Sequence, residues 1–233
     1  MVVTLVCHVH GQHVRVVSKL AVLYNKRHLY TTPLLFILLN FNSFFNKSGK
    51  DNCKDNCGVK IDIPPLFVDN AMRKARELGV LNNSIMKGEG NLVGFLGEEI
   101  VGNYLGTDTN NTYDYDLIYN YIDLTLRGKF LNKYGDSIKI DVKTKSCTSE
   151  PKSNYNVTVS SSNTFQKCDI YVFTRVLNSS ESGWILGWYD KEQFYKDATF
   201  REVGERDGNF TFRHDCYNLP INKLNKMSEL LAS

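Results

Sequence analysis

A chain of 233 residues can bury a full core, and 42% hydrophobic with 23% charged residues is an ordinary make-up for a globular protein. A net charge of +3 is too weak to argue for nucleic-acid binding by itself, and a local patch such as Lys139, Lys143, Lys145, Lys152 and Lys167 matters more than the total. The six cysteines (Cys7, Cys53, Cys57, Cys147, Cys168 and Cys216) are too scattered for a disulfide framework and point to free thiols in an intracellular compartment.

Residues 1–60 differ in character from the rest and read as an N-terminal extension. Met1–Val9 is apolar but broken by His8 and shows no small-residue cleavage site, which argues against a signal peptide. Pro33–Phe45 is too short an apolar run to span a bilayer, so no membrane partner is expected. His8, His10 and His13 lie close together with no carboxylate to support a metal site. Cys53 and Cys57 lack a second pair for zinc. Asn46–Lys60 reads as a linker.

The working domain is expected at 61–233. After Ile63-Pro64-Pro65, Leu66–Leu78 predicts a helix that Gly79 ends. Leu92–Leu105 predicts a second helix, capped by Asn91 and closed by Gly106. Gly94, Gly97 and Gly102 each cost that helix about 1 kcal/mol relative to Ala, which implies close packing against a sheet or another backbone. Asp116 introduces a strand through Tyr119, and 120–136 reads as a hairpin or insertion.

Ser137–Lys145 alternates Ile138, Ile140, Val142 and Thr144 with Lys139, Asp141, Lys143 and Lys145, the pattern of a half-buried strand. Tyr155–Ser160 predicts a strand, Ser162–Lys167 a helical turn, and Cys168–Leu177 a buried strand. Trp184–Trp188 is another strand, followed by a short helix, Lys191–Lys196, capped by Asp190. Phe210–Phe212 predicts one more strand and Ile221–Leu231 a closing amphipathic helix. The sum is an α/β class, a mixed β-sheet core flanked by helices.

If the strands at Asp116 and Asp141 pair and the helix bearing Glu98 lies across their ends, three carboxylates and Lys143 meet. Such like charges repel unless a divalent cation sits between them, and oxygen-only donors select a hard ion, Mg2+ or Mn2+. Taken singly, each residue also has a bland reading as a turn residue, a solvated helix position or an exposed charge pair. Asp114 competes with Asp116 for the ligand role, and the helical wheel leaves Glu98 and Glu99 open. The chain shows no Gly-x-Ser-x-Gly elbow, phosphate-binding Gly-rich loop or His-Glu-x-x-His helix.

Gly97-Glu98-Glu99 on a helix, then Asp116, then Asp141-Val142-Lys143 resembles the PD-(D/E)XK nuclease superfamily, including its phage- and virus-type members, over Leu92–Val176. The resemblance implies a restriction-endonuclease-like fold and Mg2+-dependent hydrolysis of DNA. It makes Asp116 and Asp141 metal ligands, Glu98 an auxiliary ligand, chosen over Glu99 on the family's Gly-Glu pattern, and Lys143 the group that orients the attacking water. Gln166 matches a polar active-site position, though weakly, and Lys145, Lys152, Lys167 and Arg175 are candidate phosphate contacts. A resolvase of this type is expected to dimerise. The competing class is a nucleic-acid-binding or structural protein that keeps the fold without turnover.

Overall fold

The computed structural model describes residues 58–79, 90–110, 112–120, 130–207 and 210–231, with the backbone of 2–9 and 12–19. The chain divides into two units, Met1–Asn46 and Lys47–Ser233. In the first, β1 (Val2–Val9) pairs antiparallel with β2 (Gln12–Lys19). The apolar run 33–45 and the Cys53/Cys57 pair lie outside the described residues, as do the side chains of the three N-terminal histidines.

The second unit opens with β3 (Val59–Asp62), two residues ahead of the boundary read from sequence. Pro64 and Pro65 then start α1 (Pro65–Leu78), proline suiting the first helical turn because its missing N–H has no helical partner there. Gly79 ends it with a positive φ of 66°. The next helix, α2 (Asn91–Leu105), stops at Gly106 in the left-handed conformation, as the sequence predicts. Asn91 does not cap it; Gly90 holds the N-cap position, and the Asn91 amide donates to the Gly79 carbonyl at 3.1 Å, joining the two helices.

β4 (Leu117–Asn120), β5 (Ser137–Cys147), β6 (Asn156–Ser160), β7 (Ile170–Leu177) and β8 (Ser182–Asp190) follow, with residues 130–134 helical before β5. Five strands form one mixed sheet in the order β3-β8-β7-β5-β4, in which only β5 and β7 run parallel. Asp190 caps α3 (Lys191–Asp197) by accepting from the Gln193 N–H at 2.8 Å. Beyond it lie β9 (Thr199–Arg201), β10 (Arg206–Asp207), β11 (Phe210–Thr211) and β12 (Cys216–Pro220). β12 sits between β6 and β9 in a second, antiparallel sheet.

The single closing helix expected at 221–231 is instead a 3-10 turn at Ile221–Lys223, an isolated bridge from Asn225 to Trp188, and a four-residue α4 (Ser228–Leu231). The Trp188–Asn225 pairing takes those backbone groups out of any helical ladder.

Two cores cover the two faces of the large sheet. Ile138, Ile140, Val142, Ile170, Val172 and Val176 pack against α1 and α2 on one side. Tyr171, Phe173, Trp184 and Leu186 pack against β6, β12 and Phe194 on the other. Trp184, Trp188 and Phe194 are therefore core residues. In β8 one extra residue opposes the Phe173/Thr174 step of β7, a bulge that turns Trp188 to the helix face although Trp184 faces the second sheet. No helix among the described residues is long and apolar enough to cross a membrane.

Candidate active site

Alternation along β5 puts Ile138, Ile140 and Val142 on the helix face and Asp141 and Lys143 on the opposite one. β4 pairs with β5 only as far as Leu117↔Ile140, so the edge of β5 is open from Asp141 onward. The regular register stops there: the Asp116 N–H donates to the Ile140 carbonyl at 2.8 Å and the Asp116 carbonyl accepts from the Asn110 N–H at 2.6 Å. The Asp116 carboxylate then takes over the ladder, its Oδ2 accepting from the Val142 N–H at 2.7 Å.

Glu98 approaches from the helix side. It follows Gly97, at which an added Cβ would lie 1.9 Å from Thr144 Oγ1 and 2.8 Å from Thr174 Oγ1, so α2 crosses β5 and β7 in near backbone contact there. Gly102 is similarly tight against the Thr107 carbonyl, whereas Gly94 faces open space; two of the three glycines are spent on close packing. Glu98 is 8% exposed and its Oε2 has no hydrogen-bond partner. Burial raises its pKa to about 7, with Lys74 opposing and the Asp141 and Glu99 charges adding to the rise. Asp116 is raised well above the usual carboxylate range, by burial first and then by the charges of Asp141 and Glu98. The charges of Glu98, Asp116 and Asp141 thus act on one another.

Asp141 is 3% exposed, and its Oδ2 lies 2.5 Å from Lys143 Nζ but outside hydrogen-bond geometry. Lys143 Nζ donates to Gln166 Oε1 at 3.1 Å and stands 5.6 Å from the centre of the Tyr171 ring. Gln166 Nε2 donates to the Tyr113 carbonyl at 3.1 Å and reaches Asp141 Oδ1 at 3.5 Å, while Lys191 Nζ donates to the Gln166 carbonyl. Gln166 therefore holds both members of the Asp141–Lys143 pair in place.

The competing acids have other tasks. Glu99 accepts from Lys74 at 2.6 Å and from Asn70 at 3.4 Å, pinning α1 to α2. Asp114 accepts from the Lys167 N–H at 3.2 Å, joining the loop before β4 to the one before β7. Among the phosphate-contact candidates, Lys145, Lys152 and Lys167 are exposed, but Arg175 is buried rather than part of a solvated face. Sequence reasoning passes over Tyr113, Tyr171 and Lys191: one contributes a backbone carbonyl, one a ring under an ammonium, and one a contact across 25 residues.

No protein-family model and no curated protein matches this chain.

By donor type alone, oxygen ligands such as these would suit a hard cation. Glu98 Oε2 and Asp141 Oδ2 are buried oxygens without a hydrogen-bond partner, although Asp141 Oδ2 is ion-paired with Lys143. Among the described residues no three His, Cys, Asp or Glu side chains stand at common metal-ligating spacing. Mg2+ commonly takes only one or two carboxylates and fills its octahedron with water and substrate oxygens.

Proposed function

We propose that this chain is a Mg2+-dependent phosphodiesterase acting on DNA, an endonuclease of the PD-(D/E)XK type on a restriction-endonuclease-like sheet. The observation that carries the reading is the buried Asp141 beside Lys143 on one strand, with the Asp116 carboxylate bonded to the neighbouring Val142 N–H and the Glu98 charge on α2 acting on both acids. Fold stability requires no such set, because each buried carboxylate costs free energy that a neutral side chain would not.

Asp141 and Asp116 would hold the ion, with Glu98 as a further oxygen donor. A divalent cation held there supplies Lewis-acid stabilisation of a phosphate oxygen and lowers the pKa of a bound water. Lys143 balances negative charge on the phosphate and orients the water, its ammonium aimed by Gln166 Oε1. Gln166, fixed by the Tyr113 carbonyl and Lys191, keeps that ammonium from swinging into solvent.

The test is cleavage of plasmid and oligonucleotide DNA with Mg2+, comparing wild type with Asp141→Ala and Lys143→Ala. Loss of about 10²-fold or more in each variant is expected, the range seen when a preorganised charge is removed from a transition state. Equal activity in all three would sink the assignment, and salt-dependent binding without cleavage would favour a non-catalytic nucleic-acid-binding protein.

A further inference from the structure

Arg175, on β7, is the one buried cationic side chain among the described residues, 9% exposed. One of its five N–H donors is used, Nη2 bonding the Asn156 carbonyl at 2.8 Å. Arg175 also lines a cleft of about 200 Å3 with Ser146, Cys147, Thr148, Ser149, Pro151 and Tyr155. No carboxylate pairs with it: burial lowers its pKa, and the groups acting against that are only Cys147 and Tyr155. The Cys147 thiol is itself pushed up by burial and supplies no counter-charge. Glu150, in the adjoining loop, is exposed and does not line the cleft.

A second cation stands alongside. The parallel ladder of β5 and β7 pairs Lys145 with Arg175, setting the two cations side by side. The Lys145 ammonium lies 5.9 Å from the centre of the Phe210 ring and joins Arg175 and Lys143 in lining a smaller adjacent cleft. Two like charges fixed side by side, one of them buried, are costly unless an anion enters. The guanidinium fork with small hydroxyl donors around it matches a tetrahedral oxyanion, and a phosphate accepts two parallel bonds from such a fork.

The position relative to the carboxylates gives this cleft a role. Tyr171 is the register partner of Asp141, so Arg175 sits four residues further along β7, about 13 Å at ordinary strand rise. We propose that Arg175 and Lys145, with the hydroxyls of Ser146, Thr148 and Ser149, form a second phosphate-binding site that holds a phosphodiester of the same nucleic-acid strand beyond the one to be cut. The choice of a nucleic-acid phosphate rests on the function proposed above; the anion site rests on the cleft alone.

The experiment measures binding of a fluorescent single-stranded oligonucleotide to the full chain in EDTA, across a salt series, and thermal stability with and without inorganic phosphate. The variants are Lys145→Gln and Ser149→Glu, both at exposed positions, and Arg175→Lys, with circular dichroism confirming the fold. Lys145→Gln and Ser149→Glu are each expected to weaken DNA binding by about tenfold and to make the logarithmic salt dependence shallower by about one, as for one lost phosphate contact, while Arg175→Lys, which keeps the charge and loses the fork, is expected to weaken binding by about tenfold with the slope unchanged. Phosphate is expected to stabilise wild type and not Ser149→Glu. Wild-type affinity and slope in all three variants would overturn the proposal. Stabilisation by phosphate that Ser149→Glu abolishes, with DNA affinity unchanged, would assign the cleft to free phosphate and overturn the nucleic-acid part. A chain that binds DNA through this cleft yet cuts nothing with Mg2+ leaves the cleft standing and removes the nuclease reading instead.

Discussion

Glu98 shows how a single side chain can set the solution behaviour of this site. Its folded pKa of about 7 lies above the value of 4.5 for a free carboxyl, so between those values the folded chain binds more protons than the unfolded one. Stability from this group is therefore complete below about pH 4.5 and is lost as pH rises through 7. Asp116 is shifted in the same direction and adds to the trend. In EDTA, the melting temperature of wild type is expected to fall over that interval, and Glu98→Gln, which keeps the shape without the charge, to flatten the fall. At pH 8 the variant should melt about 2–4 °C higher, the shift that 1 kcal/mol gives a domain of this size, while cutting DNA more slowly. A lower melting point for Glu98→Gln at pH 8 would mean that its charge is already compensated. The residue types were all visible in the sequence, but the choice of Glu98 over Glu99 rested there on a resemblance, since the helical wheel left it open. In the fold Glu98 keeps a buried oxygen without a hydrogen-bond partner, whereas Glu99 bonds Lys74, a contact 25 residues away.

Helix α2 carries the geometric demand of the whole site through one glycine. Gly97→Ala would drive a methyl into Thr144 and Thr174, lifting the helix from the sheet and carrying Glu98 with it. The expected cost is about 1–3 kcal/mol by thermal or urea unfolding, with a matching loss of cleavage. Gly94→Ala, which meets nothing within 4 Å, is the control and should gain up to about 1 kcal/mol through helix propensity. Destabilisation by both variants would show that the helix is limited by something other than sheet contact. Here the sequence spoke clearly: three glycines in one helix signalled close approach, and the period-two pattern of β5 placed Asp141 with Lys143. Other elements were not legible. Ile221–Leu231 has helical spacing, yet Asn225 is drawn into pairing with Trp188, a tertiary bond that overrides local preference. The bulge in β8 leaves no trace in the pattern of Trp184–Trp188, because Gly187 fits either arrangement.

The fold of the second unit accounts for which parts of the chain it needs. Its two cores draw their described residues from Ile61 onward, and its outer strand on one side is β3. A chain starting at Lys47 is expected to keep the melting temperature and DNA cleavage of the full chain, whereas one starting at Pro64 should lose stability and aggregate through the bared edge of β8. Equal behaviour of the two would mean that β3 contributes nothing to the sheet. A mixed sheet with flanking helices was readable from the order of predicted elements, but the second sheet of β6, β12 and β9 was not, since its strands are three to five residues long. The pairing of β3 also has a bearing on biosynthesis. Val59 finds its partner only at Ile185, so at about 5–20 residues per second the ribosome leaves this strand waiting roughly 6–25 s. Lys60 and Asp62, exposed on alternate positions, place charge on that strand throughout the delay and discourage nascent chains from joining one another.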